Sequence, residues 1–387
     1  MQLLVELQDH FEDMVAIRRY LHERPELSFQ EVHTPKFIAN YYKELGLEVR
    51  EEVGGRGVVA KLHTGKQGRT IALRADFDAL AIQELNDIPY KSKNDGVMHA
   101  CGHDGHTATL LVIAKVLNQV KEQLCGTVVF IHQHAEELAP GGAKAMIEDG
   151  CLDGVDEIYG AHLWSPLSLG TIQYLAGPIM AAADRFEITI QGKGGHGAEP
   201  HETVDAIVVA SQLITQLQTI VARTIDPLQS AVVSVGHFEA INPFNVIADQ
   251  VKLLGTVRTF SEDVRENVKQ KIEQYLQGIC TSYGATFEYN YVEGYPPVVN
   301  HEEQTNYVKE AALANDFILK VEQCKPMMIG EDFAYYLHHV PGSFFFVGAK
   351  DGLAEIQYPH HHARFNFDEK AMLYAAEVFC KILLERL

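Results

Sequence analysis

The sequence predicts an α/β protein: a mixed sheet with helices on both faces, interrupted by an inserted ferredoxin-like βαββαβ domain. Three observations predict it. Helix and strand patterns alternate over the first part of the chain. The strands there are near-continuous apolar runs, as in a sheet covered on both sides. From residue 184 the order changes to β-α-β-β-α-β, the ferredoxin-like signature.

In order, an amphipathic pattern predicts a long helix over residues 2–23, and "VHTPKFIANYYKELG" a second. "GVVAKLH" and "TIALRADF" read as strands. "GHTATLLVIAKVLNQV" reads as a helix with Asp104 as its N-cap. "GTVVFIHQ" and "EIYGAHLW" are buried strands. Then come the strand "DRFEITIQ", the helix "VDAIVVASQLITQLQTIVAR", the strands "SAVVSVGHFE" and "QVKLLGTVRTF", the helix "EDVRENVKQKIEQYLQGICTSY" and the strand "ATFEYNYVE". "GYPPVV" leads back to the first domain, which closes with the strand "PGSFFFVG" and a C-terminal helix. The expected division is 1–183 with 294–387 as one discontinuous domain, and 184–293 as the insert.

Lys and Arg number 32 against 52 Asp and Glu, a net charge of −20. A surface this acidic repels phosphate backbones, so no nucleic-acid partner is expected. No run of 18 apolar residues occurs, so no membrane span is expected. The N-terminus is acidic and amphipathic and lacks the features of a signal peptide, which makes the cytoplasm the expected location. The six cysteines are scattered, which is no disulfide framework.

The chemistry concentrates in short stretches. In "HACGHDGH", Cys101 and His103 stand at i and i+2 and can face one cleft. Thiolate and imidazole suit zinc and other late divalent metals. "HQHAEE" follows an apolar strand, where an open α/β sheet binds its ligands. Of the neighbours Glu136 and Glu137, one can bind metal while the other accepts a proton from water. His162 ends "GAH", and "YPHHHARFNF" offers His360, His361 or His362. That many donors exceeds one tetrahedral site and suits two nearby metals.

"RADFDAL", "HACGHDGHTATLL", "QHAEE", "GAHLW", "GKGGHGAEPHETVDAI", "NVIAD" and "GEDFA", in this order, resemble the M20 metallopeptidase family. The similarity is strongest to its amidohydrolase branch, which includes hippurate, N-acyl-amino-acid and indoleacetyl-amino-acid hydrolases. It covers nearly the whole chain. It implies two divalent metal ions per subunit, zinc first, with manganese, cobalt or nickel as alternatives. The implied ligands are Cys101, His103, Glu137, His162 and His361, the last by its place four residues before Phe365. Glu136 would be the general base that activates a metal-bridging water. Asp76 would orient a ligand. Relatives often carry His-x-Asp there, where this chain has Arg74-Ala75-Asp76. The insert would be a lid and dimerisation domain, with His196 contacting the oxyanion or substrate carboxylate and Asn245 and Arg258 binding substrate. A homodimer or dimer-based tetramer is implied. The expected activity is hydrolysis of the amide bond of N-acyl amino acids. A metallocarboxypeptidase or dipeptidase is the alternative, and a non-catalytic metal-binding relative the reading of another class.

Other readings lack parts. "GKGGHG" has the dinucleotide-binding spacing, yet no helix opens from the glycines and no acid follows about 20 residues on. His134-Ala135-Glu136 mimics half of a zinc deaminase without the P-C-x-x-C. No G-x-S-x-G or Walker A sequence is present.

Overall fold

A computed structural model describes residues 2–352 and 357–387. The chain divides into two compact units. The first comprises Met1–Ile179, Val299–Lys325 and Asp332–Leu387, and the second Met180–Val298 with Pro326–Glu331. The second unit is therefore wider than the expected 184–293. It takes in both connecting segments, because Ala181 N bonds the carbonyls of Met327 and Ile329.

The first unit is built on an eight-stranded mixed sheet. Its order is Glu48–Val53, Gly57–His63, Thr127–Gln133, Thr70–Asp76, Glu157–Ser168, Gly342–Lys350, Thr171–Tyr174, Lys320–Gln323. The four strands from Thr127–Gln133 to Gly342–Lys350 run parallel. Thr70–Asp76 and Thr127–Gln133 are buried along almost their whole length, as the apolar runs require. Leu73, Phe130, Tyr159 and Phe345 from the sheet join one core with Leu111, Phe379 and other helical side chains. The C-terminal ends of Thr70–Asp76 and Thr127–Gln133 stand in register, Asp76 opposite Gln133.

Two helix expectations change. The N-terminal helix is two helices, Gln2–Asp9 and Phe11–His22, broken at His10. The helix His103–Gln119 has Gly102 as its N-cap, not Asp104. Gly102 takes φ +98, which glycine adopts without the strain a side chain would add. The Asp104 carboxylate, in the first turn, is instead claimed by two side chains of the helix Phe11–His22. Arg18 Nε lies 2.9 Å from its Oδ2, and His22 Nδ1 2.8 Å from the same oxygen. Burial alone would raise the acid's pKa, but Arg18 and His22 hold it far below the usual carboxylate range. The negative group also suits the positive helix N-terminus.

The second unit carries a four-stranded antiparallel sheet, ordered Ala231–Glu239, Gln250–Thr259, Ala182–Gln191, Thr286–Val292. The helices Ala206–Thr224 and Glu262–Tyr283 bury Val209, Leu213, Leu217, Val268, Ile272 and Leu276 in one core with Phe186, Ile188 and Leu253. The order is the ferredoxin-like one. Ala206–Thr224 is long and apolar enough to cross a membrane, by length and composition only. Here one face of it is core of the sheet layer.

Candidate metal centre and active site

The segment after the strand Thr127–Gln133, the start of the helix His103–Gln119 and the strand Glu157–Ser168 bring their side chains to one cluster in the first unit. Cys101, His103 and Glu137 place one donor atom each within 4.8 Å of one another, and so do Cys101, His162 and His360. Cys101 belongs to both sets. His361 joins from the C-terminal segment, its Nε2 3.2 Å from Glu137 Oε1. It sits at φ +64, a left-handed conformation that ordinary residues adopt at a cost. Glu136 Oε2 lies 4.0 Å from His103 Nε2. Cys101, His103, Glu136, Glu137, His162 and His361 thus come together, although they are far apart in sequence.

The imidazoles are held from behind. His103 Nδ1 is 3.0 Å from the Asp78 carbonyl and 3.2 Å from Asp78 Oδ1. His162 Nδ1 donates to the Leu163 carbonyl at 2.9 Å. Each bond occupies Nδ1, so Nε2 is the nitrogen left to face the cluster. His162 Nε2 then faces Cys101 Sγ at 3.3 Å. His103 Nε2 is buried with no hydrogen-bond partner among the described residues. A buried nitrogen in that state calls for a ligand.

Asp76 does not hold His103 in this way. Its Oδ1 bonds His106 Nδ1 at 2.6 Å and its Oδ2 bonds Arg74 Nη1 at 2.6 Å. His106 Nε2 accepts from Leu163 N, so this pair braces the strand that carries His162. Asp78 is the acid the sequence reading passed over. It bonds His103, and its Oδ2 accepts from Ser28 Oγ at 2.7 Å and from Glu137 N at 3.0 Å. The available signal was two acids at i and i+2 at a strand end, which share a face. Arg18 and His22 were also missed, though both lie among Met14 and Leu21 on the buried stripe of their helix.

Of the three C-terminal histidines, His362 is turned away, its Nδ1 accepting from Arg364 N and its ring stacked on Tyr358. His360 commits Nε2 to Ser165 N and stacks on Trp164.

The electrostatics favour a cation. Burial alone would lower the His103 pKa, but Asp76, Asp78 and Glu137 carry it up to about 10. Burial, then Glu137, Glu136 and Asp76, push the Cys101 thiol well above its ordinary value. A site that retains protons this strongly has surplus negative charge, which a divalent metal would neutralise while stabilising the thiolate. Burial, followed by His106 and His360, keeps His162 neutral and able to ligate. The donor set of sulfur, imidazole nitrogen and carboxylate oxygen fits such ions.

In the second unit, His196 and Asn245 meet on a two-stranded ribbon. His196 pairs with Val246, and Gly197 N donates to the Asn245 carbonyl at 2.9 Å. A Cβ on Gly197 would stand 2.9 Å from that oxygen, which explains one glycine of "GGHG" without a nucleotide. Arg258 lies on the strand Gln250–Thr259 and donates to Thr256 Oγ1 and the Val257 carbonyl. Among the described residues no carboxylate pairs with it.

Acids, a thiol and imidazoles gathered beside the parallel strands are the donor set of a metal-dependent hydrolase. The chain belongs to peptidase family M20/M25/M40, whose model matches residues 72–385. It is an amidohydrolase of that family. It is 49% identical over 291 residues to the N-acyl-L-amino acid amidohydrolase of Geobacillus stearothermophilus, covering 75% of this chain and 79% of that protein. It is 44% identical over 363 residues to the N-acetyl-L-cysteine deacetylase of Bacillus subtilis (strain 168), covering 94% and 85%. The crystal structure of the Bacillus subtilis YXEP protein, a dinuclear metal-binding peptidase of the M20 family, superposes with a TM-score of 0.85. It shares 38% identity and covers 98% of this chain and 100% of that one.

Proposed function

We propose that the protein hydrolyses N-acyl amino acids, using two divalent cations held by Cys101, His103, Glu137, His162 and His361. Cys101 supports this reading by belonging to both donor sets, one with His103 and Glu137 and the other with His162 and His360, and His361 is drawn in through its contact with Glu137 Oε1. Zinc suits the sulfur and imidazole donors, and manganese, cobalt or nickel are compatible. When bound, the cations supply Lewis acidity toward the scissile carbonyl and lower the pKa of water.

The chain's own groups then do the following. Glu136 accepts a proton from the attacking water and returns it to the leaving nitrogen. His196 donates to the developing oxyanion. Arg258, which no carboxylate pairs with among the described residues, binds the substrate carboxylate with its planar fork, aided by Asn245. Asp78 keeps His103 in register with Glu137. A homodimer through the second unit is part of the proposal. It draws support from Ile241 and Phe244, which stand 88% and 103% exposed beside the ribbon.

The observation that carries the reading is Glu136, poised at 4.0 Å from His103 Nε2 and adjacent in sequence to Glu137. The test uses the purified chain loaded with each metal and assayed on acetyl, benzoyl and indoleacetyl amino acids. Glu136→Gln should lower kcat on the order of 10²–10⁴-fold with metal content unchanged. Near-native turnover in that variant would remove Glu136 from the role, and no turnover on any acyl amino acid would remove the substrate class.

A further inference from the structure

The loop before the helix His33–Glu44 has no part in the chemistry above, yet it touches the segment that carries both glutamates. Phe29 packs edge-on against His134, ring centroids 5.9 Å apart. Ser28 bonds Asp78, which accepts from Glu137 N. Glu31 Oε1 accepts from Ala135 N at 3.0 Å. Residues 134, 135 and 137 are therefore each held from this loop, directly or through Asp78.

The contact at Ala135 is the informative one. Ala135 has φ +52, a left-handed backbone that alanine disfavours, and the next residue is Glu136. Strain of this kind persists only where the surroundings impose it, and it gathers at functional sites. Glu31 is fully buried. Its Oε2 has no hydrogen-bond partner among the described residues and lies 3.9 Å from Arg56 Nε. Burying a carboxyl is costly, and a core with no other demand would place an apolar residue there. The loop is itself pinned: Arg56 Nη1 donates to the Glu31 carbonyl, and Glu26 accepts from Val32, His33 and Thr34 N.

We propose that Glu31 is a positioning residue: it captures the Ala135 N–H, holds Ala135 in the left-handed conformation, and so aims the Glu136 carboxylate. The inference rests on the reading of Glu136 as proton carrier. What matters is an acceptor at Oε1, and the charge is not required. Glutamine supplies the acceptor and alanine does not.

The test compares Glu31→Gln, Glu31→Ala and Glu31→Ala combined with Ala135→Gly, each loaded with metal and checked for metal content. In Glu31→Ala, kcat falls on the order of 10–100-fold while KM and bound metal hold, because a small misplacement of the base is enough. Glu31→Gln restores most of kcat. Ala135→Gly in the alanine background recovers part of the loss, since glycine takes positive φ without strain. Equal losses in the glutamine and alanine variants, or no loss in Glu31→Ala, would overturn the proposal. A crystal structure of metal-free Glu31→Ala gives a readout independent of turnover. Ala135 should leave positive φ and the Glu136 side chain should move; an unchanged backbone there refutes Glu31's role even if the substrate assignment is wrong.

Discussion

Arg74 gives the sharpest stability prediction. Its side chain is buried, and its guanidinium bonds Gln133 Oε1 at 3.0 Å, Asp76 Oδ2 at 2.6 Å and Asp332 Oδ1 at 2.9 Å. Gln133 Nε2 bonds Asp332 in turn, and Asp332 Oδ2 accepts from Ala143 N. The cation thus joins three segments through two carboxylates that are themselves fully buried. Burial would raise the Asp76 pKa, but His103, Arg74 and His106 together hold it well below the ordinary value. Arg74→Met keeps the length and apolar stem but leaves two buried acids without their shared cation. Breaking such a pair costs about 3–5 kcal/mol. The measurement is urea denaturation of metal-free protein at pH 7, following the transition of the first unit, with m compared so that a change in cooperativity is not read as one in stability. Arg74→Lys should fall between, because an ammonium cannot reproduce the fork. A loss under about 1 kcal/mol in Arg74→Met would show that the acids are protonated or solvated, and the buried ion network would be refuted.

Two more predictions concern the underside of the site. Asp78→Asn removes the carboxylate behind His103 and should weaken metal affinity about 10–100-fold, read by competition with a chromophoric chelator; unchanged affinity would exclude Asp78 as the group that orients His103. Glu31 titrates through the neutral range: burial, the largest influence, pushes its carboxyl from 4.5 up to about 7. Its protonated form is favoured by the folded state, so that stability is fully present below pH 4.5 and is lost as pH rises through about 7. Glu31→Gln should therefore be more stable than wild type at pH 8, by at most about 3 kcal/mol, and should match it near pH 4.5. Parallel denaturation curves for the two proteins across that range would contradict the buried charge.

Much of the candidate site could be read from the sequence because its donors fall in short, chemically unusual stretches. Cys101 and His103 two residues apart, and Glu136 beside Glu137, carry their meaning locally. So do the periodicities behind the two sheets. His106 and Ser28 were not legible, because a side chain that braces a ligand needs only to be nearby in space. Arg74 reads as one charge in an apolar strand until Asp332, 258 residues away, is seen beside it.

By itself, then, the sequence determined most of the central strands and long helices and which residue types are able to grip a metal, since hydrophobic period and donor chemistry are properties of neighbouring residues. Only the tertiary structure decided which acid supports which histidine, that His362 is turned away from the cluster, and that the residue before Glu136 is bent into a left-handed conformation. Those outcomes depend on the packing of segments from opposite ends of the chain, where burial makes every unpaired polar group expensive and leaves few arrangements that satisfy them all.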